Sequence, residues 1–398
     1  MRLVQQIQFK RSPLLDEMSL ASKNLFNAAT YVVRQHFFTD GTWVRYTELW
    51  KHLKDHVAYL KLQAVCGAHP PQQVLKQVDQ NFKSFFQAIK VWKRIPSKFQ
   101  GKPKLPKYLK KDGRNRVYFT AQQCRIKGEY VFLTNKVMKR GFPKIKTNLK
   151  NVQGVRIVPF HDGYNIEIIY PYETRDFHLP KDNILGIDLG LTNIITASSN
   201  MGKAPLIIKG GIVKSVNQFY NKQLAKFKSL AKVCNEADDT HRIQRLHRKR
   251  NNKIKDFFHK ASRTLINYCI THNIGTLVIG YNKGWKQRLK LGKKTNQSFV
   301  SIPFLTLIRQ IEYKAEMVGI SVVRISEEYT SQTCSTCGMI SKSNRKYRGL
   351  YVCKSCGMVL NADVNASNNI IKKGIPQSIF MIGDRGCMTH PVVLTVCH

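Results

Sequence analysis

Four cysteines constrain this chain more tightly than any other feature in it. Cys334 and Cys337 are two residues apart, as are Cys353 and Cys356, and 15 residues lie between the pairs. Each Cys-x2-Cys knuckle places two thiolates on one side of a turn, and two such turns close a tetrahedron around zinc. Gly338 and Gly357 directly follow the knuckles, where a tight turn favours a residue without a Cβ. All four ligand positions are filled by protein, so the expected Zn²⁺ is a single structural ion. A pair of redox motifs is the competing reading, and zinc-ribbon spacing disfavours it.

The compartment matters to that choice. The opening MRLVQQIQFKRS has no apolar core of a secretory signal. No run approaches the roughly 18 apolar residues of a membrane span. A reducing cytosol, with no membrane partner, is the expected setting. Cysteines there bind metal or pack more often than they cross-link. The remaining six (Cys66, Cys124, Cys234, Cys269, Cys387, Cys397) are expected to be free thiols.

Charge narrows the function. Of 398 residues, 66 are Lys or Arg and 24 are Asp or Glu, a net charge of +42. Such a chain collects polyanions, nucleic acid first among them, and is a poor fit to chemistry on small neutral metabolites. With 42% hydrophobic residues it also has material for a core, so it is not a disordered polycation.

The first half reads as mixed. A strand over 3–9 precedes helical periodicity over 20–38. A second helix over 72–92 carries Val74, Val78, Phe82, Phe85 and Phe86 on one face, its start set by His69-Pro70-Pro71. Residues 87–116 hold 11 Lys or Arg against Asp112 alone, with three prolines, and read as a basic loop. Alternating runs VYFTA, YVFLT, GVRIVPF and YNIEIIY suggest antiparallel strands. The second half alternates strand and helix: strand–turn–strand over 181–199, a long helical region over about 216–272, a buried strand over 275–281, a helix over 304–319, a strand over 320–325 and a last helix from 360.

Acids are scarce enough to be conspicuous. Asp188 ends the strand NILGI, Glu327 and Glu328 follow the strand ISVVRI, and Asp363 falls at a helix start. Taken singly, Asp188 suits a turn and Asp363 a helix cap. Brought together, three carboxylates suit two Mg²⁺ ions, which activate water and stabilise the leaving oxygen of a phosphodiester.

GIDLG (186–190), EEYTSQTCSTCG (327–338), CKSCG (353–357) and NADVNASNNI (361–370) resemble the TnpB family, transposon-encoded RNA-guided DNA endonucleases ancestral to type V CRISPR effectors. GYNKGWKQ (280–287), HPPQQVLKQVDQNFKSFF (69–86) and GKPKLPKY (101–108) are similar to it as well. The resemblance implies an α/β RNase-H-like (RuvC) nuclease core with a zinc-ribbon insert. It also implies an N-terminal β-barrel-like wedge carrying an inserted helical recognition region. The expected boundaries are 1–180 for the wedge (recognition region about 15–115), 181–333 for the first core part, 334–356 for the ribbon, 357–375 for the last core segment and 376–398 for a tail without order. Asp188 matches the first RuvC aspartate and Asp363 the last. Most relatives place the middle Glu just after the strand equivalent to GTLVIGY, where this chain has Gly280. A branch of the family similarly lacks that Glu and uses one further along. Glu327 is the choice here; Glu328, Glu312, Glu316 and Asp384 remain alternatives.

The resemblance further implies a guide RNA from the transposon end, double-stranded target DNA cut beside a short adjacent motif, and a monomer with its RNA. Candidate phosphate partners are Lys104, Lys107, Lys110 and Lys111 in the basic loop. Arg242, Arg245, Arg248, Lys249 and Arg250 form a second set in 241–260, where eight Lys or Arg face only Asp256. In such systems base pairing reads the sequence while the protein reads shape and a flanking motif. Three other readings stay open: a nuclease-inactive RNA-guided repressor of the same fold, a transposase acting without RNA, and a zinc-ribbon RNA-binding protein that is no enzyme.

Overall fold

A computed structural model of the chain describes residues 1–235, 239–282, 284, 292–347, 349–378 and 391–396. The chain divides into two compact units, Met1–Tyr172 and Glu173–His398. Among the described residues no helix is long and apolar enough to cross a membrane.

The first unit opens with β1 (Arg2–Lys10), whose side chains alternate between exposed and half-buried as a one-faced strand requires. Four helices follow: α1 (Pro13–Asp40), α2 (Tyr46–Leu53), α3 (Val57–Cys66) and α4 (His69–Arg94). Then come β2 (Val117–Thr120), β3 (Arg125–Lys127), β4 (Tyr130–Phe132), α5 (Asn135–Lys139), β5 (Ile145–Lys146), β6 (Gly154–Phe160) and β7 (Gly163–Pro171). The strands make two antiparallel sheets, β1-β7-β6-β2 and β3-β4-β5. One apolar cluster, from Leu15 and Phe26 through Phe82 to Phe119 and Ile166, joins helices and strands.

Local chemistry sets the helix ends. The Ser12 hydroxyl accepts from Leu15 N–H at the start of α1, Pro13 takes the first turn, and Gly41 ends the helix at φ 65°. Helix α4 runs to Arg94, so the first part of the expected basic loop is its last two turns. The remainder of that loop is anchored. Leu109 exchanges two hydrogen bonds with the Asn27 side chain, Arg34 donates to the Pro106 carbonyl and Lys23 to that of Lys111. The segment is a strap along α1, with Leu105 and Leu109 packed inward.

The second unit contains β8 (Ile184–Asp188), β9 (Asn193–Ser199), β10 (Leu206–Lys209), α6 (Gly211–Asn235), α7 (His241–Thr271), β11 (Thr276–Gly280), α8 (Lys293–Val300), α9 (Phe304–Glu316) and β12 (Ser321–Ile325). It ends with β13 (Arg345–Tyr347), β14 (Leu350–Val352), β15 (Val359–Asn361), α10 (Ala362–Gly374) and β16 (Val392–Leu394). The six-stranded sheet has the order β12-β11-β8-β9-β10-β16. Its β8-β9-β10 part is an antiparallel meander, and β11 and β12 add in parallel, which is the RNase-H-like arrangement.

The helical region expected over 216–272 consists of two helices, with Thr240 capping the second through its hydroxyl. The tail expected to lack order holds β16, which pairs in parallel with β10; its residues 379–390, 397 and 398, including Asp384, Cys387 and Cys397, lie outside the described residues. Helices α2, α3, α5 and α8 were not foreseen. Cys66, Cys124, Cys234 and Cys269 are free, as expected.

Helix α10 crosses the sheet at β8 with almost no clearance. A Cβ on Gly186 would stand 2.3 Å from the Ser367 carbonyl oxygen, a backbone atom that cannot yield easily. Gly186→Ala is therefore expected to destabilise the second unit by roughly 2 kcal/mol or more, an overpacking cost, read as a lowered urea midpoint with an unchanged m value.

Candidate metal centre and zinc ribbon

The sheet and α10 deliver three carboxylates to one cavity of about 630 Å³. Asp188 is the last residue of β8. Glu327 lies two residues beyond β12, and Asp363 occupies the first turn of α10. Asn361, not Asp363, caps that helix: its side-chain oxygen accepts from the Asp363 and Val364 N–H groups. The Asp363 carboxylate is thereby left for the cavity, where Asn193 Nδ2 donates to it at 2.8 Å and Arg345 at 3.2 Å.

The position of Glu327 answers to a glycine. A Cβ on Gly280 would lie 3.1 Å from a Glu327 carboxylate oxygen and 3.2 Å from its Cβ. The Glu327 side chain thus fills the space a side chain at 280 would use. Its backbone N–H is held by the Asn282 side-chain oxygen at 3.0 Å. Glu328 points to solvent. Glu312 is committed to Arg324 in a salt bridge. Of the candidates for the third acid that are described, Glu327 is the one that lines this cavity with Asp188 and Asp363.

Electrostatics make the cavity a demanding place for anions. Burial, then the charges of Asp363 and Glu327, holds the Asp188 carboxyl well above the usual range, with Arg345 offsetting part of the effect. Burial pushes Glu327 up to about 7. A cation would relieve both, and hard carboxylate oxygens suit a small divalent ion. Among the described residues, only the four cysteines bring three or more ligand atoms within 4.8 Å of one another. The three carboxylates therefore stand wider than this. Oxygens around one octahedral Mg²⁺ are at most about 4.2 Å apart, twice its bond length.

A raised carboxyl pKa costs folding stability as pH climbs, because the unfolded chain releases its proton first. For Glu327 the cost accrues between about 4.5 and 7. Asp188→Asn is expected to raise the thermal midpoint of the metal-free protein at pH 8. Added Mg²⁺ should raise the midpoint of wild type and not that of the variant, measured by calorimetry.

The two cysteine knuckles are built alike. In each, the N–H of the first cysteine donates to a carbonyl five residues on (Met339, Met358) and its own carbonyl accepts from the following glycine. Those glycines have φ of 77° and 71°, the left-handed region where a Cβ is strained. Sulfur separations are 3.7 Å for Cys334–Cys356 and 3.6 Å for Cys337–Cys353. Four thiolates at about 2.3 Å from a tetrahedral zinc would be about 3.8 Å apart. The cluster is compatible with zinc, and the Cys356 and Ser355 N–H groups help pull the Cys353 thiol down to about 6. The ribbon strands β13-β14-β15 complete it.

Helix α10 holds the ribbon through its asparagines. Asn365 accepts from Ser335 N–H and donates to the Thr333 carbonyl; Asn369 donates to the carbonyls of Thr330 and Thr333. The NADVNASNN run is therefore a cap, a cavity acid and two ribbon anchors in order. Arg345, on the ribbon's first strand, was not singled out from sequence. It is one of four Lys or Arg between the two knuckles, and only the folded ribbon turns it toward Asp363. Stripping metal with a thiol-specific chelator should release that arrangement, seen as faster hydrogen exchange across 333–361 with the rest of the second unit protected.

The basic residues separate. Lys104, Lys107, Lys110 and Lys111 are exposed along the strap. Arg245 and Lys249 are exposed on α7, Arg248 is half-buried, and Arg242 lies 4.3 Å over the Phe227 ring. Arg250 is a correction. Its guanidinium donates to Asn217, Asn251 and the Ser301 carbonyl, so it braces helices rather than reaching outward. The first unit also holds an unforeseen cationic cavity of about 330 Å³, where Arg2, Lys76, Arg116 and Arg156 meet Gln77 and Gln80.

An RNase-H-like sheet thus carries an acid-lined cavity at its strand ends and a four-cysteine ribbon beside it. Comparisons narrow the reading. Residues 168–286 match the model of the probable transposase family OrfB_IS605, and 304–370 the Cas12f1-like TNB domain. The chain is 29% identical over 226 residues to the CRISPR-associated endodeoxyribonuclease Cas12f1 of Sulfoacidibacillus thermotolerans, covering 54% of this chain and 52% of that protein. It is 26% identical over 249 residues to a TnpB-like protein of Acanthamoeba polyphaga mimivirus, covering 59% and 46%. With InsQ of Escherichia coli, a candidate RNA-guided DNA endonuclease, it shares 25% over 328 residues, covering 77% and 74%. A solved Cas12f1–guide RNA–target DNA complex superposes with a TM-score of 0.56 at 16% identity, covering 90% of this chain and 82% of that one, which supports the fold. The chain is thus similar to TnpB-like and Cas12f proteins over its second half. It spans about half the length of the first curated relatives it matches.

Proposed function

We propose that the protein is an RNA-guided DNA endonuclease of the insertion-sequence type, cutting target DNA beside a short adjacent motif with a two-Mg²⁺ site held by Asp188, Glu327 and Asp363. The observation that carries this reading is the Glu327 carboxylate in the space above Gly280, in the same cavity as the other two acids. Bound Mg²⁺ would supply an activated water and stabilise the leaving oxygen. The chain's own part is placement. Asn193 and Arg345 orient Asp363, Asn282 fixes the backbone of Glu327, and Asp188 is fixed by its strand.

Names borne by relatives support the nuclease and its guide RNA. Zinc in the ribbon is structural in this reading, the chain works as a monomer with its RNA in the cytoplasm, and the strap lysines with Arg245 and Lys249 contact phosphates. The expected segment limits (1–180, 181–333, 334–356, 357–375) are kept as the functional divisions. A nuclease-inactive repressor is the second reading, favoured by the glycine at 280; a transposase acting without RNA is the third.

Cleavage of a matched plasmid by protein carrying its co-expressed RNA tests the proposal. Glu327→Gln should cut at least about a hundredfold more slowly, equivalent to roughly 2.7 kcal/mol of barrier, while Glu328→Gln cuts normally. The swap Gly280→Glu with Glu327→Gly should recover part of the loss. Wild type that binds target yet never cuts would establish the repressor, and activity that survives removal of RNA would establish the transposase.

A further inference from the structure

We infer that the groove between α6 and α7 is a pocket for one unpaired nucleotide of the guide RNA, its base stacked on Phe219 and its phosphates held by Lys249 and Lys253. The inference rests on the RNA-guided reading above and adds a site to it. Helix α6 supplies Ser215, Val216, Phe219 and Tyr220, and α7 supplies Leu246, Lys249, Arg250 and Lys253. Spacings of one, three, four and seven put each set on one helical face. The two faces enclose about 710 Å³, within the size range of small-ligand sites and ample for a nucleotide.

The lining has the chemistry of a nucleotide pocket. Val216 and Leu246 are apolar, Ser215 and Asn252 offer hydrogen-bonding groups, three residues are cationic, and none is a carboxylate. Phe219 is 63% exposed, a costly place for a phenyl ring, and it has no ring or cation partner among the described residues. Its neighbour Tyr220 is committed: its hydroxyl meets His247 Nδ1 at 2.8 Å, and the braced Arg250 guanidinium lies 5.4 Å from its ring centre. One wall is therefore fixed while the Phe219 face stays available. Lys249 and Lys253 lie one turn apart, and Asp256 on the same helix is taken by Lys260 at 3.0 Å. Neither lysine has a carboxylate partner among the described residues, so their mutual repulsion is relieved only by an external anion.

An open ring with cations on the rim suits a base with its phosphates. Single-stranded RNA presents such splayed bases to aromatic side chains as its usual mode of recognition. An acidic peptide would use the cations and leave the ring without purpose.

The test uses the full chain with its copurified RNA, ultraviolet crosslinking mapped by mass spectrometry, and chemical probing of the RNA at nucleotide resolution. A nucleotide adduct on the peptide carrying Phe219 and Tyr220 is expected, together with one or two protected nucleotides. Phe219→Ala, at an exposed site that does not threaten folding, should expose those nucleotides and raise the RNA Kd roughly tenfold to a hundredfold. Phe219→Trp should retain protection, and Lys249→Ala with Lys253→Ala should weaken binding with a shallower salt dependence. Footprint and Kd unchanged in Phe219→Ala would overturn the pocket and leave RNA guidance standing. Wild type that carries no RNA would overturn both, and protection of this groove by DNA or protein alone would overturn the pocket.

Discussion

The close contact between α10 and β8 governs the arrangement of the second unit. With no Cβ at Gly186, the helix backbone comes down onto the strand. Ser367 on the helix then reaches Ser198 on β9 in a buried hydroxyl pair. A helix seated this closely has little freedom to rotate or slide. Its first turn therefore presents Asp363 beside the end of β8, where Asp188 emerges. Its next two turns present Asn365 and Asn369 to the first cysteine knuckle. One steric constraint thus sets both the spacing of two acids and the anchorage of the ribbon.

Charge works in the opposite direction and gives the cavity its chemistry. A chain of +42 would favour ionised carboxylates almost anywhere on its surface. Yet Asp188 and Glu327 resist ionisation, because burial, joined for Asp188 by the charges of Asp363 and Glu327, outweighs the distant positive charge. Arg345 is the nearby cation that opposes this for Asp188, and it comes from the ribbon. The fold holds acids together at a cost to stability, which is the pattern expected where a cation-binding function sets the requirement.

The legible parts of the sequence were those whose signal is local. Cysteine spacing, the glycines after each knuckle, and the apolar runs of β8, β11 and β12 depend on neighbours within a few residues. The break between α6 and α7 does carry a local signal, the acid-rich stretch Asn235 to Thr240 without Lys or Arg, but the basic residues on either side drew the two helices into one helical region. Arg250 was misread for a related reason. In a stretch with eight basic residues, nothing local marks the one whose guanidinium is drawn onto Asn217 of α6 as well as the adjacent Asn251. Arg345 and the cationic cavity of the first unit, assembled from distant segments, were beyond any local pattern.

Gly280 and Glu327 show how one volume can be reached from either of two neighbouring strand ends. Strands β11 and β12 lie side by side in parallel, with Gly280 opposite Ile325. Their ends open onto the same edge of the sheet, about 4.8 Å apart as adjacent strands are. A glutamate two residues past β12 can therefore reach the volume that a side chain at the end of β11 would occupy, provided the latter position has none. Gly280 meets that proviso, and Asn282 meets a second one by fixing the backbone of Glu327 as it leaves the strand. The glycine that reads as a lost acid along the chain is, in three dimensions, what makes room for the acid next door.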